Sequence, residues 1–193
     1  MCHHNVNTIL LVGGFAESKI LQSKIQEQFP GKEIRSPGQP SVAVVSGAVE
    51  FGHCPEKIRF RLSPMTYGIE VVVLFDYDCH PYGKKRVIEG DEYCEDIFSI
   101  HVKKNQSVET GTPISDETYS PAYSMQTVVQ IRVIESTMNN PTYVTEPGCR
   151  VIGSFDVNIP TKNTSSDRSV NVKMIFSGTE LKVEAMSVQT GRL

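Results

Sequence analysis

A strand, a glycine turn and a helix are written one after another in Thr8-Ile9-Leu10-Leu11-Val12-Gly13-Gly14-Phe15-Ala16-Glu17-Ser18. Four consecutive large apolar residues run directly into two glycines and then into a polar, helix-compatible segment. A strand covered on both faces reads as a continuous apolar run, and glycines at its end read as a sharp turn into a helix. At the carboxyl edge of an open α/β sheet such a turn lets a nucleotide approach backbone that carries no Cβ, and the next helix offers N–H groups. Gly13-Gly14 serves equally well as a plain tight turn, so the motif alone leaves both readings open.

Outward from this stretch, Leu21, Ile25 and Phe29 recur every four residues, with Ile20 beside them and Lys19, Lys24 and Glu27 elsewhere. That spacing predicts an amphipathic helix over 16–29, stopped by Pro30-Gly31. A short strand over 32–35 and a loop over 36–40 lead to a second helix over about 41–51, with Pro40 near its start. Ala43, Ser46, Gly47 and Ala48 suit that helix to close packing on a sheet.

After Pro55 the texture changes. Ile58, Phe60 and Leu62 alternate with Arg59, Arg61 and Ser63, and β-rich runs follow at 67–75, 97–102, 126–134, 151–159, 170–176 and 181–188. Gly, Pro, Asn, Asp and Ser bound them, which predicts a β-sandwich over 57–193 behind a smaller α/β unit over 1–56. The acidic run Glu89-Gly-Asp-Glu-Tyr-Cys-Glu-Asp96 lacks calcium-loop spacing and reads as a solvated turn.

The chain has 193 residues and a formal charge of −3, with no basic field for nucleic acid and no apolar run of membrane-spanning length. Its five cysteines are odd in number and form no CxxC pair, which suits reduced thiols and a cytoplasmic setting. Cys2-His3-His4 and Cys79-His80 are adjacent pairs without metal-site spacing and read as ordinary surface residues.

Ile9-Leu-Leu-Val-Gly-Gly-Phe15, the helix behind it, and Pro40-Ser-Val-Ala-Val-Val-Ser-Gly-Ala-Val49 together resemble the last nucleotide-binding segment of the 70-kDa heat-shock-protein family. The spelling GGFAES and Gly47-Ala-Val-Glu-Phe-Gly-His-Cys-Pro55 most resemble its divergent heat shock 70 kDa protein 12 branch. The second half is also similar to that family. Thr66-Tyr-Gly-Ile-Glu70 resembles the opening strand of its substrate-binding sandwich, Gly153-Ser-Phe-Asp-Val-Asn-Ile-Pro160 a later strand, and 170–176 with 181–185 its final hairpin, followed by Thr190-Gly191. Residues 76–95 have no counterpart.

The resemblance implies an α+β chain: a partial actin-like (ribonuclease H-like) α/β subdomain followed by a β-sandwich like the family's peptide-binding domain. It implies an adenosine contact at Gly13, Gly14, Phe15, Glu17 and Ser18. The family's adenine-stacking Arg falls at Glu17, which cannot make a cation–π contact, and Phe15 is left either to face the base or to pack in the core. A family acidic residue before the second helix falls at Ser41.

The phosphate loops, lysine and carboxylates that serve Mg²⁺ and water in the family have no counterpart here. ATP or ADP with magnesium is therefore expected only in a longer parent protein, and this chain alone is not expected to hydrolyse ATP. No catalytic or metal-binding residue is assigned. Two partner classes stay open: unfolded or extended polypeptide clients, taken at Val71, Val72, Val73 and Leu74 unless these are core, or one specific folded protein on a scaffold domain whose glycine turn is vestigial.

Overall fold

The computed structural model describes residues 6–160, 168–177 and 180–188. The fold is α+β, mostly β-sheet with two α-helices among the described residues. The chain divides into two compact units, Met1–Lys57 and Ile58–Leu193.

In the first unit β1 (Thr8–Leu10) and β2 (Glu33–Arg35) run parallel, with Ile9 opposite Ile34. Parallel neighbours need a crossover, which α1 (Lys19–Gln28) supplies. The helix begins later than its apolar spacing implies. A 3-10 turn occupies Gly14–Glu17, and extended Ser18 then caps α1 by accepting the Leu21 N–H at 3.4 Å. α2 (Pro40–His53) opens with Pro40 in its first turn, where no intrahelical donor is needed, and ends before Pro55.

Little of this unit's apolar surface is covered. Ala16 and Pro40 are buried, whereas Leu10, Val12, Ile20, Val44, Val45 and Val49 are all exposed. A two-stranded sheet with one crossover helix has too few layers to bury both faces.

The second unit contains β3 (Phe60–Leu62), β4 (Thr66–Leu74), β5 (Lys85–Ile88), β6 (Asp91–Val102), β7 (Ser107–Glu109), β8 (Pro113–Tyr119), β9 (Val128–Ser136), β10 (Cys149–Asn158), β11 (Val170–Ser177) and β12 (Glu180–Ser187). They form a five-stranded sheet β10-β9-β4-β6-β5, a three-stranded sheet β12-β11-β8 and the pair β3-β7. Burial alternates along β11, where Val170, Val172, Met174 and Phe176 turn inward. They join Tyr67, Ile69, Val102, Ile131 and Val133 of the larger sheet in one core. Tyr67 and Phe176 meet edge to face with ring centroids 5.8 Å apart.

The acidic run at 89–96 is not a solvated turn throughout. Glu89-Gly90 turns, but Asp91 onward belongs to β6, paired with β5. Cross-strand ion pairs of Lys85 with Glu92 and Arg86 with Glu95 offset charges that argue against a strand. β5, β7 and β8 carry too little apolar alternation to be read from sequence; β8 is Pro-Ile-Ser-Asp-Glu-Thr-Tyr.

Gly68 sits where β4 crosses β6 most closely. A Cβ there would lie 2.0 Å from the Ser99 carbonyl oxygen and 2.5 Å from the Phe98 ring, both inside contact distance. Gly68→Ala is expected to cost about 2 kcal/mol or more, because backbone rather than a flexible side-chain tip must give way. Urea unfolding should show a clearly lowered midpoint, and an unchanged one would contradict this packing.

Candidate functional site

β4 and β9 pair only from Thr66↔Ser136 to Ile69↔Val133. Beyond that point β4 stays on β6 as far as Leu74↔Tyr93, and β9 stays on β10 as far as Val128↔Asn158. The sheet therefore forks. A bulge on β6 sets this up: the register slips between Val71↔Ile97 and Val73↔Cys94, with Asp96 at φ 61°. Bulges bend and twist a strand, and here the end of β4 swings away with β6.

Between the prongs lies a cleft of about 680 Å³. Ile69, Val71 and Val73 line it from β4, Val129 and Ile131 from β9, and Ser120, Pro121 and Ala122 from the segment after β8. The run 71–74, read from sequence as either client surface or core, divides between core and exposed surface. Val71 packs against the core, while Val72 and Leu74 are 37% and 68% exposed.

Glu70 and Arg132 mark the root of the fork, as the next pair had the ladder continued, and their side chains form an ion pair. Burial pushes the Glu70 carboxyl up from its ordinary range, and the Arg132 guanidinium pulls it only part of the way back. Ser99 and Tyr119, also lining the cleft, share a hydrogen bond of 2.8 Å between hydroxyls, and Tyr119 meets His101 Nε2 at 2.9 Å. His101 Nδ1 bonds Ser115. A buried polar chain thus ties β6 to β8, joining the two larger sheets beside the cleft. A lone His at 101 in the apolar run 97–102 was the available sequence signal for it.

The glycine turn is built differently. Gly13 has φ 88°, a conformation L side chains avoid, and its N–H donates to the Pro40 carbonyl at 2.7 Å. Nothing lies within 4 Å of a Cβ at Gly13 or Gly14, so the turn is open to close approach. Phe15 is 79% exposed and is not packed in a core, Glu17 is exposed, and the Ser18 hydroxyl is engaged as the helix cap. No group of three or more His, Cys, Asp or Glu that could hold a metal exists among the described residues.

Cys79 is exposed, and hydrogen bonding to Asp76 pushes its thiol up; His80 Nδ1 meets the Tyr143 hydroxyl at 3.2 Å. Cys2-His3-His4 and Thr190-Gly191 lie outside the described residues. The short basic run at 84–86 has a local use: the Lys85 ammonium lies 5.0 Å from the Tyr77 and Tyr82 ring centroids and 5.7 Å from that of Phe75. No described helix is long and apolar enough to cross a membrane.

No family model matches the chain. Individual relatives do. The chain is 32% identical over 191 residues to "Heat shock 70 kDa protein 12A" of Homo sapiens and of Mus musculus, covering 97% of this chain and 28% of those proteins. The chain is a relative of the heat shock 70 kDa protein 12 branch. To "Heat shock 70 kDa protein 12B" of Homo sapiens it is 33% identical over 197 residues, 97% of this chain and 29% of that protein. The chain thus spans a little over a quarter of the length of these 12-type relatives, and the likeness read from residues 9–55 and from the strands behind them extends across both units.

His101 gives a pH signature for the polar chain. Burial lowers its pKa from 6.5 to about 4, so the folded protein holds it neutral. The unfolded chain binds the proton first, and stability present above pH 6.5 is lost as pH falls toward 4, by about 3 kcal/mol at most. Denaturant unfolding between pH 7.5 and pH 4.5 should show this slope in the wild type and a shallower one in His101→Gln. Identical slopes would contradict a buried neutral His101.

Proposed function

We propose that this chain is the client-holding part of a chaperone of the 70-kDa heat-shock type, with the fork between β4 and β9 taking an extended polypeptide segment. The fork carries this reading. Past Ile69 and Val133 each prong turns toward the cleft an edge that its neighbour across the fork does not pair, and an extended segment added there gains main-chain hydrogen bonds from the edges while its alternate side chains reach Val71, Val73, Val129 and Ile131. Each well-buried aliphatic side chain is worth about 1.5–3 kcal/mol, so two or three of them bring a short segment toward micromolar affinity after the cost of ordering it.

The two packed sheets are on this reading a β-sandwich of the peptide-binding kind. The first unit is a piece of an actin-like, ribonuclease H-like nucleotide-binding domain, and its exposed apolar residues support that assignment because they need more layers than the unit has. Gly13, Gly14, Phe15, Glu17 and Ser18 would then face the adenosine side of ATP or ADP, with the phosphate and Mg²⁺ chemistry supplied elsewhere in a longer parent protein. The described cysteines are free thiols, which supports a reducing, cytoplasmic setting.

Val73 lines the cleft and stands outside the core cluster, so it can be changed without emptying the core. The variant Val73→Ser is expected to fold and to bind fluorescent apolar heptapeptides about tenfold more weakly by anisotropy. Competition by many unrelated unfolded peptides is the expected pattern. Saturation by one folded partner, indifferent to such peptides, would favour a scaffold role and remove the client reading.

A further inference from the structure

We infer that Ser99 and Tyr119 give the cleft a polar floor that selects an uncharged hydrogen-bonding side chain, a hydroxyl or an amide, at one inward position of the extended segment. The inference rests on the client reading and adds a sequence preference to it. Most of the side chains that such a segment would meet are aliphatic, among them Val71, Val73, Val129 and Ile131, and Ser99 and Tyr119 line the same cleft. Ser99 stands opposite Ile69 in the β4–β6 ladder, beside the last pair before the fork, Ile69↔Val133. The polar place is therefore at the root of the cleft.

A second bulge on β6 builds this floor. The strand pairs through Val102 with Tyr67 and through Ile100 with Gly68, and the residue skipped between them is His101. It turns to the smaller sheet, where its ring nitrogens meet the Ser115 hydroxyl and, at 2.9 Å, the Tyr119 hydroxyl. His101 is 7% exposed, so its nitrogens are satisfied by these partners rather than by bulk water. The chain ends 2.8 Å beyond Tyr119 at Ser99, whose hydroxyl has Tyr119 as its one partner among the described residues.

The free capacity of Ser99 follows from the donors and acceptors along this chain. When Tyr119 donates to His101 it accepts from Ser99, and the Ser99 oxygen keeps its lone pairs free. When His101 donates to Tyr119 the phenol donates to Ser99, and the Ser99 O–H is free. The end of the chain thus offers an acceptor in one arrangement and a donor in the other, which suits Ser, Thr, Asn and Gln side chains alike. An aliphatic side chain pressed over it leaves that capacity unmet, and an unmet buried polar group costs more than its hydrogen bond gains. A charged side chain fits no better. Burial keeps His101 neutral at pH 7 and pushes the Tyr119 phenol up from its ordinary range, so the chain holds no charge to balance a carboxylate or an ammonium. Glu70 and Arg132, which also line the cleft, stand on the opposite strand faces from Ile69 and Ile131 and are engaged with each other.

The test is a scan of a fluorescent Leu-rich heptapeptide on the full chain by anisotropy, with each position in turn set to Leu, Thr, Asn, Asp or Lys. Thr and Asn at one position should bind about five- to tenfold more tightly than Leu there, and Asp and Lys at that position at least about tenfold more weakly than Leu. Ser99→Ala should erase the Thr and Asn advantage while the Leu peptide binds at least as well as it does to wild type, a pattern that loss of folding cannot give. Leu preferred at every position, a Thr advantage that persists in Ser99→Ala, or loss of Leu-peptide binding in that variant would overturn the polar floor and leave the client reading standing. Failure of the wild type to bind any peptide of the series would instead remove the client reading, and the floor with it.

Discussion

At Ile69 and Val133 the hydrogen-bonded ladder between β4 and β9 stops, although both strands go on. The split costs backbone pairing in the middle of a sheet, and three features hold it in place. The β6 bulge carries the end of β4 outward, β10 stays paired with β9 as far as Val128, and Glu70 with Arg132 meet across the root of the fork through side chains. With Glu70 partly buried and its carboxyl pushed up, that pair is better understood as fixing where the ladder ends than as a source of stability. The cleft and its apolar lining follow from this one break.

Much of the architecture was legible because periodicity survives wherever strands bury one face. Residues 67–75, 151–159, 170–176 and 181–188 were read as strands and lie in β4, β10, β11 and β12. The parts that escaped are those stabilised by charge pairs across a hairpin or by partners distant in sequence. β5 and the start of β6 are held by Lys85 and Arg86 facing Glu92 and Glu95, and the rings of Phe75, Tyr77 and Tyr82 gather around Lys85. β8 gains its burial from pairing with β11 and from the Tyr119–His101 contact, neither of which leaves a local pattern.

The site was legible in part. The run Val71-Val72-Val73-Leu74 stood out by its apolarity, yet its division between core and exposed cleft wall needed the fork to explain it. Glu70 and Arg132 could not be paired by spacing, since 62 positions separate them and only the register brings them opposite each other (132 − 70). The glycine turn was legible as a turn, and Gly13 does adopt a left-handed backbone. Of its neighbours, Ser18 caps α1 and Phe15 is exposed rather than packed in a core.

The most direct measurement is amide hydrogen exchange of the full chain with and without a saturating extended apolar peptide. Strand addition in the fork should add protection at 70–74 and 128–132, the two inner edges, and leave the outer strands β5, β10 and β12 as they were. Protection confined to those outer strands or to the Met1–Lys57 unit would contradict the fork as the binding site.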